Sequence, residues 1–244
     1  MLEILYQDTA VVAINKPSGL LVHRSPIDKH ETRFAIQLTR DQIGQHVFPV
    51  HRLDKPTSGV LLFALSSEVA RQLTEQFTAK QVAKTYQAIV RGHIEDSGVI
   101  DYALQAQWDK MTDAKVDPDK PAQDAVTHYE CLARTELPFP VGRYDSVRYS
   151  LVSLSPQTGR KHQLRRHMKH IFHPIVGDTS HGDGTQNRFL RDQFDLQRLM
   201  LHAGRLSLKH PVTGKPLDIE APLSDDFKLM LERLELVTAQ APSE

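Results

Sequence analysis

The chain has 244 residues, 40% of them hydrophobic and 25% charged, with thirty basic side chains balanced by thirty acidic ones. These values exclude a disordered polyelectrolyte and suit a globular protein with a sizeable core, built as one large domain or two small ones. A formal net charge of zero leaves the question of a nucleic-acid partner to local clustering.

Cys131, the one cysteine, cannot form an internal disulfide and sits in an apolar context, which points to a reducing compartment. Glu3 and Asp8 stand where a signal peptide would be basic and then apolar, and the apolar run 60–65 is too short to span a bilayer. A cytoplasmic protein is expected. Residues 11–14 read as a buried strand ending at the turn Lys16-Pro17-Ser18-Gly19, and 20–22 as a second short strand. A polar loop over 24–33 precedes a helix from Ala35 to Ile43, stopped by Gly44. Residues 60–65, β-branched at the start and bounded by turn residues, read as a central strand. Ser66 then caps a helix with Glu68 in its first turn and an apolar stripe of Val69, Leu73 and Phe77. Residues 84–90 alternate and stop at Gly92, which puts Tyr86, Ala88 and Val90 on one strand face. Residues 107–124 are polar, with Pro118 and Pro121, and read as a surface loop. Strands resume over 126–132, 149–154 and 206–208. This irregular interleaving predicts an α+β fold, one domain over 1–235 with a frayed tail at 236–244.

The stretch HRLDKPTSGVLLFA, residues 51–64, sets a carboxylate, Asp54, between a basic pair and Lys-Pro, just ahead of the apolar strand. A turn into a buried strand needs Pro56 and Gly59 but not that acid, so Asp54 is either a turn cap or a chemical group. A second unusual stretch, GRKHQLRRHMKHIFHP over 159–174, holds Arg160, Lys161, Arg165, Arg166, Lys169 and four histidines with no acid. At helical spacing Leu164, Met168 and Ile171 share one side. His162, Arg165, Arg166, Lys169 and His173 spread across the other, with Arg165 at the edge between the two. A helix that presents only positive charge outward suits a polyanion such as RNA or DNA. The spacing of His167, His170 and His173 invites a metal, but no carboxylate or thiol neighbours them and five cations do. Half-exposed histidines on a polyanion-binding face are expected instead, with no metal site.

Taken together, these stretches resemble the RluA-type pseudouridine synthases. HRLDKPTSGVLLFA is similar to that family's aspartate signature, and INKPSGLLVH, KTYQAIVRG and GRKHQLRRHM...HPIVGDTSHG with LHAGRLSLKHPVTGKPLDIEAPL follow in the family's order. The resemblance covers roughly residues 4–223. It implies the pseudouridine synthase fold, a mixed and mostly antiparallel sheet with the active-site cleft across it. It implies Asp54 as the catalytic aspartate, Tyr86 as the platform for the target base, Arg165 as the partner of Asp54, and Leu164 as pocket lining. Arg52 is implied to enter the space that a flipped base leaves, and Arg160, Lys161, Arg166 and Lys169 are left as contacts to the RNA backbone. Lys161 departs from the family, most of which has threonine there. The substrate implied is tRNA, at uridine 65 of the T arm. A ribosomal RNA site is the alternative, and an RNA-binding protein without activity the remaining one. No cofactor, metal or protein partner is implied, and a monomer is expected. Because the catalytic pattern begins within the first dozen residues, no separate N-terminal RNA-binding domain is expected.

Overall fold

The computed structural model describes residues 1–24, 30–105 and 121–236. In chain order its elements are β1 (Glu3–Gln7), β2 (Val11–Lys16), α1 (Ala35–Ile43), β3 (Phe48–Pro49), β4 (Ser58–Ala64), α2 (Ser67–Thr78), β5 (Ala83–Arg91), β6 (Ser97–Asp101), β7 (Val126–Leu137), β8 (Val147–Pro156), α3 (Gln163–His170), α4 (Gly184–Phe194), β9 (Leu201–Lys209), β10 (Pro216–Glu220) and α5 (Asp225–Arg233).

The apolar run falls in β4, where all seven residues are buried. Alternation explains why: Val60, Leu62 and Ala64 pack with Val69 and Leu73 of α2 on one face. Leu61 and Phe63 pack with Ala35 of α1 on the other. A strand covered on both faces needs apolar residues at every position. Across the sheet the order is β1-β2-β4-β9-β5-β8-β7-β6, with β3 added to β4 and β10 to β9. Every pairing is antiparallel except β4 with β9, which run parallel over Ser58↔His202 and Gly59↔Ala203. The fold is therefore α+β with a mixed, mostly antiparallel sheet, and the mixed pair lies at its centre.

That pair corrects the reading of Gly59. It is not a turn residue but lies inside β4, at φ 112°, where a Cβ would stand 2.2 Å from the Ala203 carbonyl oxygen. Only glycine lets the two backbones approach so closely. The second short strand, over 20–22, reduces to one bridge between Leu21 and Phe34. The Leu20 carbonyl accepts from the buried Lys16 ammonium at 2.8 Å instead of from a neighbouring strand. Strands read over 126–132, 149–154 and 206–208 extend to the full β7, β8 and β9. Leu236, read as the start of a tail, is fully buried beside Phe227 and Leu234, while 237–244 lie outside the described residues. Most of the 107–124 loop also lies outside them; Gln123 pairs with Leu104 across a single bridge. Among the described residues no helix is long and apolar enough to cross a membrane.

Candidate active site

Asp54 lies in the loop between β3 and β4, and its three backbone carbonyls in a row are each tied down. The Asp54 carbonyl accepts from Thr57 N–H at 3.0 Å, Lys55 from Gly19 N–H at 2.9 Å, and Pro56 from the Ser18 hydroxyl at 2.8 Å. Lys16, fully buried, also donates its ammonium to Lys55 at 3.1 Å and to Pro17 at 3.0 Å. Burial, then the charge of Arg198, draws Lys16 down to about 7 against the opposing pull of Asp54. The NKPSG turn is thus the brace of the aspartate loop, which accounts for the two stretches occurring together. His51 fixes the loop's other end: its Nε2 accepts Leu62 N–H at 2.9 Å and its ring stacks on Phe77 at 5.0 Å.

The Asp54 side chain, 20% exposed, accepts from Arg165 Nη1 at 3.2 Å. Arg165, which the helical spacing had set at the edge between the two faces of α3, is only 5% exposed. Its Nε and Nη2 donate to Asp178 at 2.6 and 2.8 Å, a two-pronged grip that leaves Nη1 for Asp54. Burial works against the guanidinium's charge, but the bonds and charges of Asp178, then Asp54, more than offset it and raise its pKa. Burial likewise pushes Asp178 up, yet Arg165 and the His181 and Ser180 N–H groups hold it below the usual carboxylate range. Asp178, which holds Arg165 beside the cleft, is a residue that the sequence reading missed. The one available signal is that a buried arginine reaching an active carboxylate needs a second anion, and Asp178 follows the apolar Ile175-Val176 after α3.

Tyr86 projects from β5 between Ala203 of β9 and Leu154 of β8. It packs against a cluster containing Leu164, which is 7% exposed. Burial, then the charge of Asp54, raises the Tyr86 pKa, so the phenol is neutral. Tyr86, Leu164, Asp54 and Arg165 all line one cleft of about 730 Å³, a size suited to a small ring system. Arg52, Lys80, Lys84, Arg160 and Lys161 also line it, so the described lining residues include six basic side chains and one carboxylate. Neither Lys80, in the α2–β5 connection, nor Lys84, near the start of β5, had been read as a site residue, because neither belongs to the basic helix. Arg166, half-buried, and Lys169, exposed, sit further along α3 and do not line the cleft.

The histidines of α3 are more occupied than expected. His167 is fully buried, within 3.0 Å of both the Thr127 hydroxyl and the Tyr102 carbonyl. His170 stacks on Tyr102 at 3.6 Å, and His173 bonds the Arg91 carbonyl at 2.8 Å. Each ring is thus held by contacts of its own, and among the described residues no group of three or more His, Cys, Asp or Glu is arranged to hold a metal. His162 turns inward, 3.8 Å from Asp54 through Nε2 and 3.0 Å from His181 Nε2 through Nδ1.

Burial, then Lys84, draws His51 down to about 4; burial, against the pull of Asp54, does the same to His162. The unfolded chain therefore binds protons below pH 6.5 that the native rings refuse. Their contribution to stability is full above pH 6.5 and is lost as pH falls towards 4. Urea unfolding midpoints are expected to fall across that window; midpoints flat from pH 6.5 to 4 would mean that these rings are protonated in the native protein.

The chain is similar to several known proteins. The profile described as RNA pseudouridylate synthase matches residues 10–170. A tRNA pseudouridine synthase C of Vibrio parahaemolyticus is 56% identical over 234 residues, 96% of this chain and 95% of that one. Its namesake in Pectobacterium carotovorum is 61% identical over 91% of this chain, which spans 59% of that relative's length. Among solved structures, human RNA pseudouridylate synthase domain containing 4 superimposes with a TM-score of 0.69 at 30% identity, covering 96% of this chain and 93% of its own. Human RNA pseudouridylate synthase domain containing 1, at 24% identity and a TM-score of 0.70 over 97% and 96%, shares the fold. With a matching profile over most of its length and relatives aligned nearly end to end, the chain belongs to the RNA pseudouridylate synthase family.

Proposed function

We propose that this chain isomerises uridine to pseudouridine in tRNA, at uridine 65 of the T arm, with Asp54 as the catalytic carboxylate. The observation that carries the reading is the cleft itself, where Asp54 is the one carboxylate among the described lining residues, with six cations and an aromatic ring beside it. The names of the relatives support tRNA as the substrate. The position within tRNA rests on the resemblance of the motifs.

The reaction breaks the N1–C1′ bond of uridine, turns the freed uracil and rejoins it through C5. Substrate and product are isomers, so the chemistry calls for no cofactor. An ionised Asp54 serves each of three routes: attack at C1′, addition to C6, or removal of the C2′ proton to give a glycal. Arg165 supplies its countercharge, and the braced loop holds the carboxylate in place before the substrate arrives. Extracting the uridine from its stack costs a few kcal/mol, of which the Tyr86 ring returns roughly 1–3 kcal/mol. Arg52, exposed at the cleft wall, is the side chain we assign to the gap left in the RNA, a role that rests on the resemblance of the motifs.

Tyr86→Phe keeps the ring, so its affinity for tRNA is expected to stay within about threefold, whereas Tyr86→Ala loses the stacking contribution. A large loss in the Phe variant, measured by filter binding, would assign the hold to the hydroxyl. Lys80→Ala with Lys161→Ala is expected to weaken tRNA binding and reduce the slope of log Kd against log salt by about two. An unchanged slope would mean that RNA phosphates do not pass the cleft mouth. The substrate itself is tested by mapping pseudouridines in RNA from cells lacking the gene. Loss at tRNA position 65 supports the proposal; loss at a ribosomal position, with tRNA intact, would replace it.

A further inference from the structure

Asp54 and four other groups form a closed ring of contacts. From Asp54 the path runs through Arg165 (3.2 Å) to Asp178 (2.6 Å), and from Asp178 Oδ1 to the His181 N–H (2.9 Å). It returns from the His181 ring to the His162 ring (3.0 Å) and from His162 Nε2 to Asp54 Oδ2 (3.8 Å). The Arg165–Asp178 arm is ionic and stays charged. The other arm consists of two imidazoles, and it links Asp54 to the surface. His162 is 23% exposed and lines the cleft, while His181 is half-buried in a turn whose preceding residues, Thr179 and Ser180, are exposed.

We propose that His162 and His181 form a proton path between Asp54 and solvent. The inference rests on the reading of Asp54 as the catalytic carboxylate. A substrate that covers the cleft mouth shuts Asp54 off from bulk water on that side. Pseudouridine formation removes a proton from C5 and adds one at N1, and the glycal route takes another from C2′ and returns one there when C1′ joins C5. A carboxylate that gains a proton when such a C–H bond breaks, the electron pair remaining with the substrate, must lose it before it can act again. Each imidazole carries one N–H and one free lone pair, so it can accept at one nitrogen as it releases at the other. A proton leaving Asp54 is accepted by His162 Nε2, His162 Nδ1 passes its own to His181 Nε2, and His181 Nδ1 releases one to water. The rings regain their starting tautomers by exchange with water, and the proton lost at C5 is matched by the one gained at N1. The 3.8 Å step closes by a small turn of the carboxyl or through one water.

The surroundings favour neutral rings. Around His162 stand Asp54, Arg165, Lys161 and His181; around His181 stand Asp178, Arg165, Lys169 and Arg166. Burial lowers both imidazoles, His162 to about 4, so at neutral pH neither is blocked by a resident second proton.

The test is chemical rescue in the full-length protein. His181→Ala is expected to lower kcat for tritium release from 5-tritiated uridine tRNA by about ten- to a hundredfold with KM for tRNA unchanged. Added imidazole and substituted imidazoles should restore it, saturably and in proportion to their basicity. His181→Gln retains a hydrogen bond to His162 but cannot carry a proton, so it should be as slow as His181→Ala. Three results would each overturn the path: an unaffected kcat, a loss that no imidazole restores, or full activity in the Gln variant. Failure of the aspartate assignment would show separately, as turnover persisting in Asp54→Asn.

Discussion

Asp54→Asn is expected to abolish pseudouridine formation while the affinity for tRNA stays within a few fold of the wild type. The substitution keeps the shape of the side chain and removes its charge, and each of the three available routes requires that charge. Removing a group that attacks or deprotonates the reacting atoms typically costs roughly 10⁴-fold or more. The fold should be spared. The loop is held by its own carbonyls through Lys16, Ser18, Gly19 and Thr57, none of which touches the carboxylate. Arg165 keeps both bonds to Asp178 and loses only the 3.2 Å contact through Nη1. Binding should not weaken, since the change removes an anion from a cleft that receives phosphates. Tritium release from 5-tritiated uridine tRNA measures the loss, and filter binding the affinity. Turnover retained at a tenth of the wild-type rate would refute the assignment.

Asp178→Asn is expected to damage stability and activity together, although residue 178 does not line the cleft. The Asp178 side chain is 1% exposed and accepts four hydrogen bonds, two from Arg165 and two from the N–H groups of Ser180 and His181. An asparagine supplies one oxygen and turns an NH₂ towards donors. Arg165 is then left 5% exposed with its charge uncompensated on that side, a defect that costs about 3–5 kcal/mol in buried pairs. Urea unfolding should report that loss. Arg165 can recover part of it by swinging both prongs onto Asp54, which changes the aim of the carboxylate, so turnover should fall by about a hundredfold or more. The charge-conserving Asp178→Glu should recover less than a change on an exposed pair would, because the site is packed on every side. An Asn variant with wild-type stability and rate would show that Asp178 does not brace Arg165.

Much of the candidate site was legible, but by unequal means. Spacing and capping rules located β4, α1 with its Gly44 stop, α2 with its Ser66 cap, and β5, because each is a local pattern on one segment. They also singled out Asp54 as an acid that a turn did not need. The roles proposed for Tyr86, Leu164, Arg52 and Arg165 came from resemblance of motifs, since nothing in the spacing brings residues 54, 86 and 165 together. The sheet does so by running β9 between β4 and β5 and laying α3 across β5. Edge strands β1, β6 and β10 and helices α4 and α5 escaped the pattern reading. The strands are short and largely exposed, so they lack the apolar run that marks a covered strand.

α3 marks where the one-dimensional reading stops. The amino-acid order alone determined its amphipathic character, its excess of positive charge and its place after the Gly159 turn. It also determined that an acid and an invariantly charged arginine were available to pair. Only the tertiary structure decided which way Arg165 and His167 face, because a helical wheel gives the angle between side chains but not what covers each side. Here the loop at Tyr102 and the strand at Thr127 bury His167, and the Asp54 and Asp178 loops enclose Arg165. Partners for a buried charge are chosen by which loops the sheet brings within about 3 Å, and that proximity is a property of the assembled fold.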